Sequence, residues 1–162
     1  MNVYSTDKIR NVAILGHNGS GKTTAVEAMA YMTGITNRMG NVTDGNTISD
    51  FDKEETKRGI SISASVVPIE WNKNKINFID TPGFFDFVGE VEEAVGVADA
   101  AVICIAAKDG VQVGTQKAWR RCDDRSLPRF FYLSGMDNSD IDFHGIVEKL
   151  QEIGRASCRE RV

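Results

Sequence analysis

The sequence predicts an α/β domain with a mostly parallel sheet and flanking helices. Apolar segments of strand length recur at 9–15, 75–79, 100–106 and 129–133, and helix-forming segments lie between them. Short apolar runs bounded by turn residues are typical of strands that are buried on both faces, as in parallel sheets. With 162 residues, of which 41% are hydrophobic, the chain can bury one core and has no room for two large ones.

The other elements follow from apolar spacing and from the residues that end each run. A helix over 24–32 places Val26, Met29 and Ala30 on one face and ends near Gly34. A polar connection at 35–62 follows, and connections of this length in a compact domain are usually functional or disordered. The remaining predicted elements are a β-rich segment at 63–71 and helices at 90–97, 116–122 and 143–150.

A glycine-rich segment, here called the phosphate loop, joins the first predicted strand to the first helix. Residues 16–23 satisfy the pattern G-x-x-x-x-G-K-[ST] at every fixed position. Glycines let the backbone turn tightly and direct N–H groups at a phosphate, and the helix N-terminus adds its positive field. A glycine-rich turn with a surface lysine is the alternative, which the strand, loop and helix context disfavours. The predicted nucleotide contacts here are Gly16, His17, Asn18, Gly19, Ser20, Gly21, Lys22, Thr23 and Thr24.

Further groups that a bound polyphosphate needs are present in two segments. Lys22 is expected to reach the β- and γ-phosphates, and the Thr23 hydroxyl is placed to bind Mg²⁺. Asp80 ends an apolar strand, where an acidic residue beside a phosphate loop provides a second magnesium-linked group. Gly83 has no side chain in the way, so its backbone N–H can approach a terminal phosphate. An ordinary turn is the alternative for 80–83.

Charge and hydropathy restrict the classes of function. The net charge of −4 argues against a basic nucleic-acid platform, and so against direct sequence-specific nucleic-acid binding. No apolar run approaches the length that spans a bilayer, and the N-terminal residues lack a signal-peptide core. The sequence therefore predicts a cytoplasmic protein with no membrane partner.

In combination, these motifs resemble the GTP-binding (G) domain of translational GTPases, and within that class elongation factor G and its paralogues. The phosphate loop matches the first family motif, 58–62 matches the Arg-Gly-Ile-Thr-Ile segment of switch I, and 80–83 matches switch II. The resemblance implies a P-loop NTPase fold with three layers, truncated before its last strand and helix. It also implies GTP binding with Mg²⁺, hydrolysis to GDP, and a switch linked to the ribosome in the full-length parent.

The resemblance also implies roles for single residues. Lys22 and Gly83 are the expected catalytic residues, because one stabilises phosphate charge and the other senses the γ-phosphate. Thr23, Ser61 and Asp80 are the expected magnesium group, in which Asp80 holds a metal-bound water. The predicted nucleotide contacts outside the phosphate loop are Asp80, Thr81, Pro82, Gly83, Phe84 and Asp137.

Four positions depart from the family pattern. Gly19 replaces an acidic residue, and Ser61 replaces a threonine but keeps a hydroxyl that can bind Mg²⁺. Phe84 occupies the place of the histidine that positions the attacking water, and a phenyl ring cannot hold water. Serine and glycine at 134–135 replace Asn-Lys before Asp137, which weakens the expected guanine selectivity. The alternative function is a GTP-gated ribosome-binding or regulatory module with weak or no hydrolysis.

The last ten residues differ from the rest in composition. From Ile153 the chain has no apolar periodicity and contains three arginines. This stretch is similar to the conceptual translation of a sequencing-adapter oligonucleotide. The sequence thus predicts a partial G domain over 1–152 and a non-native tail over 153–162, with a natural disordered tail as the alternative.

Overall fold

The computed structural model describes the backbone of residues 2–159 and the side chains of residues 2–154. Its strands and helices alternate along most of the chain. In order they are β1 (Ile9–Gly16), α1 (Lys22–Met32), α2 (Lys53–Arg58), β2 (Ser65–Trp71), β3 (Asn74–Asp80), α3 (Val88–Val97), β4 (Ala100–Ala106), α4 (Val113–Asp124), β5 (Arg129–Ser134) and α5 (Phe143–Arg159).

The five strands form one sheet in the order β2-β3-β1-β4-β5. β1 pairs in parallel with β3 and β4, β4 pairs in parallel with β5, and only β2 runs antiparallel, next to β3. This arrangement confirms the predicted α/β class with a mostly parallel sheet. Because the parallel strands end at one edge, Gly16, Asp80 and Ser134, the last residues of β1, β3 and β5, lie at the same edge.

Hydrophobic side chains fill both faces of the sheet. On one face Ile14 and Phe78 pack with Val26 of α1, and on the other Leu15 and Ile103 pack with α3 and α4. Ala13, Ile14 and Leu15 of β1 point alternately to opposite faces and are nevertheless all buried, which explains the apolar run at the end of this strand. α5 packs its own apolar residues against the end of β4.

The polar connection at 35–62 is more regular than its composition indicates. It contains α2, whose N-cap residue Asp52 forms a capping box with Glu55. The Asp-x-x-Glu signal for this helix is present in the sequence, but six residues are too few to show helical periodicity. Among residues 2–159, no helix is both long and apolar enough to cross a bilayer.

The last helix is longer than the sequence predicts. α5 continues to Arg159 and so passes the predicted boundary at 153 without a break. Helical backbone there does not identify the origin of the segment, so the division into a domain and a non-native tail stays a prediction. Residues 160–162 lie outside the described part of the chain.

Candidate functional site

The phosphate loop connects β1 to α1 at the carboxyl edge of the sheet. Gly16, Gly19 and Gly21 have φ values of 145°, 75° and 83°, which favour glycine. Gly21 is the N-cap of α1 and has no side chain with which to cap the first N–H groups of that helix. A helix N-terminus of this kind is suited to bind an anion.

Gly16 is required by close packing as well as by its φ value. A Cβ built on it lies 2.4 Å from the backbone oxygen of Cys104, which belongs to the neighbouring strand. We expect Gly16→Ala to lower the free energy of unfolding by about 3 kcal/mol, because backbone must shift to relieve the contact. Gly19→Ala is the matched control, since that position also has positive φ, but apart from its chain neighbours no described residue has an atom within 4 Å of a built Cβ.

Urea denaturation of the two variants measures this difference. Gly19→Ala introduces only the left-handed strain, which costs about 1 kcal/mol. Equal losses in the two variants would contradict the steric explanation.

Lys22 and Gly83, the predicted catalytic pair, are in close proximity. The Lys22 side chain is buried, and its Nζ donates a hydrogen bond to the His17 carbonyl oxygen at 2.9 Å. A Cβ on Gly83 would lie 2.6 Å from this Nζ and 2.7 Å from the Asn18 Cα. Burial lowers the pKa of Lys22, and the Asp80 carboxylate opposes this shift. The desolvated amine of Lys22 and the glycine backbone at Gly83 therefore lie next to each other beside the phosphate loop.

The predicted magnesium group also comes together, although its members are far apart in the sequence. Thr23 Oγ1 donates a hydrogen bond to Asp80 Oδ2 at 2.7 Å and lies 3.3 Å from Ser61 Oγ. Ser61 Oγ in turn donates to Asp50 Oδ1 at 2.7 Å. Two hydroxyls and two carboxylates thus form one connected cluster beside the phosphate loop.

The cluster fits Mg²⁺ by its chemistry. Asp80 is almost completely buried, and its Oδ1 has no hydrogen-bond partner among the described residues. Burial raises the pKa of Asp80 to about 6, while the Thr23 hydrogen bond opposes the rise. A hard cation would satisfy the unpartnered oxygen and neutralise the carboxylate. Mg²⁺ is usually bound by one or two carboxylates together with phosphate oxygens and water, and this donor set matches that preference.

Asp50 is a site residue that the sequence analysis did not single out. Its carboxylate is buried and lines the same cleft as Thr23 and Ser61. Burial raises the pKa of Asp50, and the hydrogen bond from Ser61 opposes the rise. Asp50 lies in the irregular connection before α2, where no periodicity or motif marks it.

The cleft between the phosphate loop and residues 59–61 has a volume of about 270 Å³. Seven of the predicted nucleotide contacts line it, which is consistent with a polyphosphate as the occupant. They are Asn18, Gly19, Gly21, Lys22, Thr23, Thr24 and Gly83. Asp80 lies behind them, and its contact to Thr23 joins it to this surface.

Other predicted contacts have different surroundings. Thr81 Oγ1 donates to the Ile14 carbonyl oxygen at 2.6 Å and so links β3 to β1. Pro82 and Phe84 line another small cavity, of about 30 Å³. Gly16 of the phosphate loop also lines it. The His17 ring packs on Phe85, with ring centroids 5.8 Å apart. The prediction that these residues touch a nucleotide stays a prediction.

The segment predicted to contact the base is tied to the phosphate loop. Ser134 Oγ donates to the Ser20 carbonyl oxygen at 3.0 Å, across 114 positions of sequence. Gly135 follows with φ of 71°, and Asp137 is exposed in the turn after β5. The serine that replaces the family's asparagine therefore still connects this segment to the phosphate loop.

Fold and site define a P-loop nucleotide-binding domain: a parallel sheet with a glycine-rich loop, a buried lysine and a hydroxyl and carboxylate cluster at its carboxyl edge. The family model "Elongation factor Tu GTP binding domain" matches residues 7–159, and the chain belongs to this family. The family assignment confirms the resemblance to translational GTPases.

Individual relatives agree with this assignment. Elongation factor G 2 of Borreliella afzelii (strain PKo) is 39% identical over 143 residues, which are 88% of this chain and 21% of the relative. Mitochondrial ribosome-releasing factor 2 of Drosophila willistoni is 41% identical over 148 residues, 91% of this chain and 20% of the relative. The chain thus spans about a fifth of the length of these curated relatives.

Solved structures show the same fold. A crystal structure of a Thermus thermophilus protein matches with a TM-score of 0.85 and 38% identity, covering 90% of this chain and 22% of that protein. The bacterial selenocysteine-specific elongation factor EF-Sec matches with a TM-score of 0.70 at 21% identity, covering 95% of this chain and 24% of that one. The second match bears on the fold alone.

Proposed function

We propose that this chain binds GTP with Mg²⁺ and hydrolyses it to GDP, as the nucleotide-binding part of a translation factor of the elongation factor G type. The observation that carries the proposal is the convergence of Lys22 and Gly83 with the cluster of Thr23, Ser61, Asp50 and Asp80 around one cleft. The names of the relatives, elongation factor G and ribosome-releasing factor 2, support a ribosome-linked switch in the parent. The bacterial elongation factor G relatives favour a cytoplasmic location for it.

The residues around the cleft have different roles in binding the phosphates. Thr23, Ser61 and Asp80 would hold Mg²⁺, which supplies positive charge to the β- and γ-phosphates when it is bound. Lys22 stabilises negative charge on the same oxygens, and it does so strongly because it is shielded from water. Gly83 offers its backbone N–H to the γ-phosphate, which makes this segment sensitive to whether that phosphate is present.

Base recognition is assigned to the segment after β5. Asp137 can accept hydrogen bonds from the N1 and N2 groups of guanine, and Ser134 fixes the start of the segment against the phosphate loop. The lysine that the family places next to this serine is glycine here, so its aliphatic stem is missing. We therefore expect guanine preference to persist with a smaller margin than in the family pattern.

Competition for fluorescent GDP tests this function. The magnesium-loaded chain is titrated with the probe, which is then displaced by GTP, ATP or XTP. We expect GTP to compete at concentrations at least about tenfold below those of ATP, because each lost base contact costs about one factor of ten. Equal competition by ATP would reduce the proposal to binding of phosphates without base selectivity, and no binding of the probe would reject it.

A second candidate function is a GTP-gated binding module that hydrolyses GTP slowly. Phe84 favours it, because the ring carries no group that can hold a water and does not line the phosphate cleft itself. Single-turnover hydrolysis by the full-length parent on ribosomes distinguishes the two candidates. A rise of about a hundredfold in Phe84→His would favour the slow module, since one positioned acid–base group contributes about that much. Equal rates would favour hydrolysis assisted by another group.

A further inference from the structure

Two buried glutamates hold the long connection between α1 and β2. Glu27 and Glu55 are each only about 2% exposed, whereas glutamate is rarely buried without partners. Together they accept five hydrogen bonds from backbone N–H groups of residues 40–63. Two carboxylates thus hold much of a connection that is rich in polar residues and that packs only Ile48 against the cluster around Val26, among the described residues.

Glu27 holds the part of the connection that precedes Asp50. It belongs to α1, and its two oxygens accept from Gly40 N at 2.7 Å and Ile48 N at 2.9 Å. A Cβ on Gly40 would lie 2.6 Å from both the Asn46 backbone oxygen and Glu27 Oε1, so glycine is needed for this approach. Because α1 begins at the phosphate loop, Glu27 fixes the path to Asp50 relative to Lys22.

Glu55 holds the part that follows Ser61. Its Oε1 accepts from Ile62 N at 2.9 Å and from Ser63 N at 3.1 Å, and its Oε2 accepts from Asp52 N at 3.2 Å. Ile62 is the residue directly after Ser61, so these bonds fix the direction of the backbone at Ser61, between α2 and β2. The two glutamates therefore hold both sides of the 2.7 Å hydrogen bond between Ser61 and Asp50.

We propose that Glu27 and Glu55 are positioning residues that hold the Asp50 and Ser61 side chains against Thr23, and thereby set how strongly Mg²⁺ strengthens polyphosphate binding. This inference rests on the proposed function for the role of Mg²⁺ and of phosphate. It does not depend on guanine recognition. Neither glutamate lines the phosphate cleft, so each acts through the residues that it holds.

The test uses inorganic triphosphate as the probe, because it occupies only the phosphate site and leaves base recognition out. Its affinity is measured with Mg²⁺ and with excess EDTA for wild type, Glu27→Gln and Glu55→Gln. An amide donates where the carboxylate accepted, so each substitution leaves at least one N–H without a partner. We expect the magnesium-dependent gain in affinity to fall about tenfold, with the affinity in EDTA unchanged within about twofold.

Glu54→Gln is the matched control. Glu54 is on the same short helix as Glu55, but its side chain is half exposed and pairs with Arg58 at the surface. An exposed i,i+4 pair of this kind contributes little, so the magnesium-dependent gain is expected to stay at the wild-type value. Glu27 and Glu55 are substituted in separate variants. If one variant fails to fold, the other still tests the proposal.

A second readout follows the connection itself in the protein without nucleotide. Trypsin cleaves after lysine and arginine, and Arg58 at the end of α2 is largely exposed. We expect cleavage after Lys57 or Arg58 to be about tenfold faster in Glu55→Gln than in wild type, because opening of this segment needs less free energy.

The outcomes separate the alternatives. Faster cleavage with an unchanged magnesium-dependent gain would mean that the glutamates are structural only and would overturn the proposal. Unchanged cleavage and an unchanged gain would overturn it as well. The wild type could bind triphosphate with a magnesium-dependent gain in affinity but show no preference for guanine nucleotides. Loss of that gain in both variants would then support the positioning role, while the proposed function would be rejected. A wild type that shows no magnesium-dependent triphosphate binding would overturn both.

Discussion

Lys22→Met is expected to weaken binding of GTP by a factor of at least about thirty. The Lys22 amine is the buried cation at the phosphate cleft, and its loss removes a charge-assisted contact that is shielded from water. Truncating one partner of such a buried pair costs about 2–5 kcal/mol, which is a factor of about 30 to several thousand in affinity. Methionine is chosen because it keeps most of the volume of the side chain.

The same substitution should leave the fold intact. In the nucleotide-free protein the Lys22 amine donates to one backbone carbonyl, and burial already lowers its pKa. Removing a desolvated amine therefore offsets part of the loss of its hydrogen bond, and the unfolding midpoint should move little. Isothermal titration calorimetry with a non-hydrolysable GTP analogue and a thermal unfolding curve measure the two quantities.

Lys117→Met is the matched control for this experiment. Lys117 is an exposed lysine of α4 whose Nζ lies 3.9 Å from the centre of the Phe85 ring, on the segment that follows Gly83. It carries the same charge as Lys22 but does not line the cleft. Comparable losses of affinity in both variants would mean that long-range charge, rather than contact with the phosphates, governs binding.

The elements nearest the phosphates are the ones that the sequence predicts best. Residues 16–23 must combine positive φ values with an approach of 2.4 Å between a built Cβ at Gly16 and β4, and few sequences satisfy both demands. These demands fall on a few consecutive residues, so a short sequence motif is enough to reveal them. Asp80 is predicted for the same reason, since the end of a parallel strand fixes where its side chain emerges.

Asp50, Glu27 and Glu55 escape prediction because their roles depend on the path of an irregular segment. Nothing in a run of polar residues indicates that Glu27 on a helix will accept from the backbone of Ile48. The helix signal at Asp52 and Glu55 is readable, but the further bonds from Glu55 to residues 62–63 are tertiary. The hydrogen bond of Ser134 to the phosphate loop is likewise visible only after the sheet has formed.

Asp80→Asn is expected to stabilise the nucleotide-free protein at neutral pH. Burial raises the pKa of Asp80 to about 6 in the folded state, against an ordinary value of 3.8. The folded state thus binds this proton more tightly than the unfolded state, so the contribution of Asp80 to stability is largest below pH 4 and falls as the pH rises from 4 to 6. The integrated loss is about 3 kcal/mol, and it is present in full above pH 6.

The asparagine variant removes this pH dependence while keeping the shape of the side chain. Its carbonyl oxygen can still accept from the Thr23 hydroxyl, so the contact between β3 and α1 remains. Urea unfolding of both proteins at pH 4 and pH 7.5, without nucleotide or metal, should give a difference at pH 7.5 that largely disappears at pH 4. A constant difference at both values would show that the Asp80 carboxylate does not titrate in this range.

The gain in stability should come with a loss of magnesium dependence. The unpartnered Asp80 Oδ1 is the atom that a cation would satisfy, and an amide offers a neutral oxygen or a donor in its place. We expect the factor by which Mg²⁺ strengthens GTP binding to fall at least about tenfold in Asp80→Asn, while binding in EDTA changes little. A variant that became more stable but kept the full magnesium effect would place the metal elsewhere. Higher stability together with a smaller magnesium effect would show that the cost of burying Asp80 is linked to the function of the cleft. The negative charge that destabilises the nucleotide-free protein is then the same charge that binds the cation.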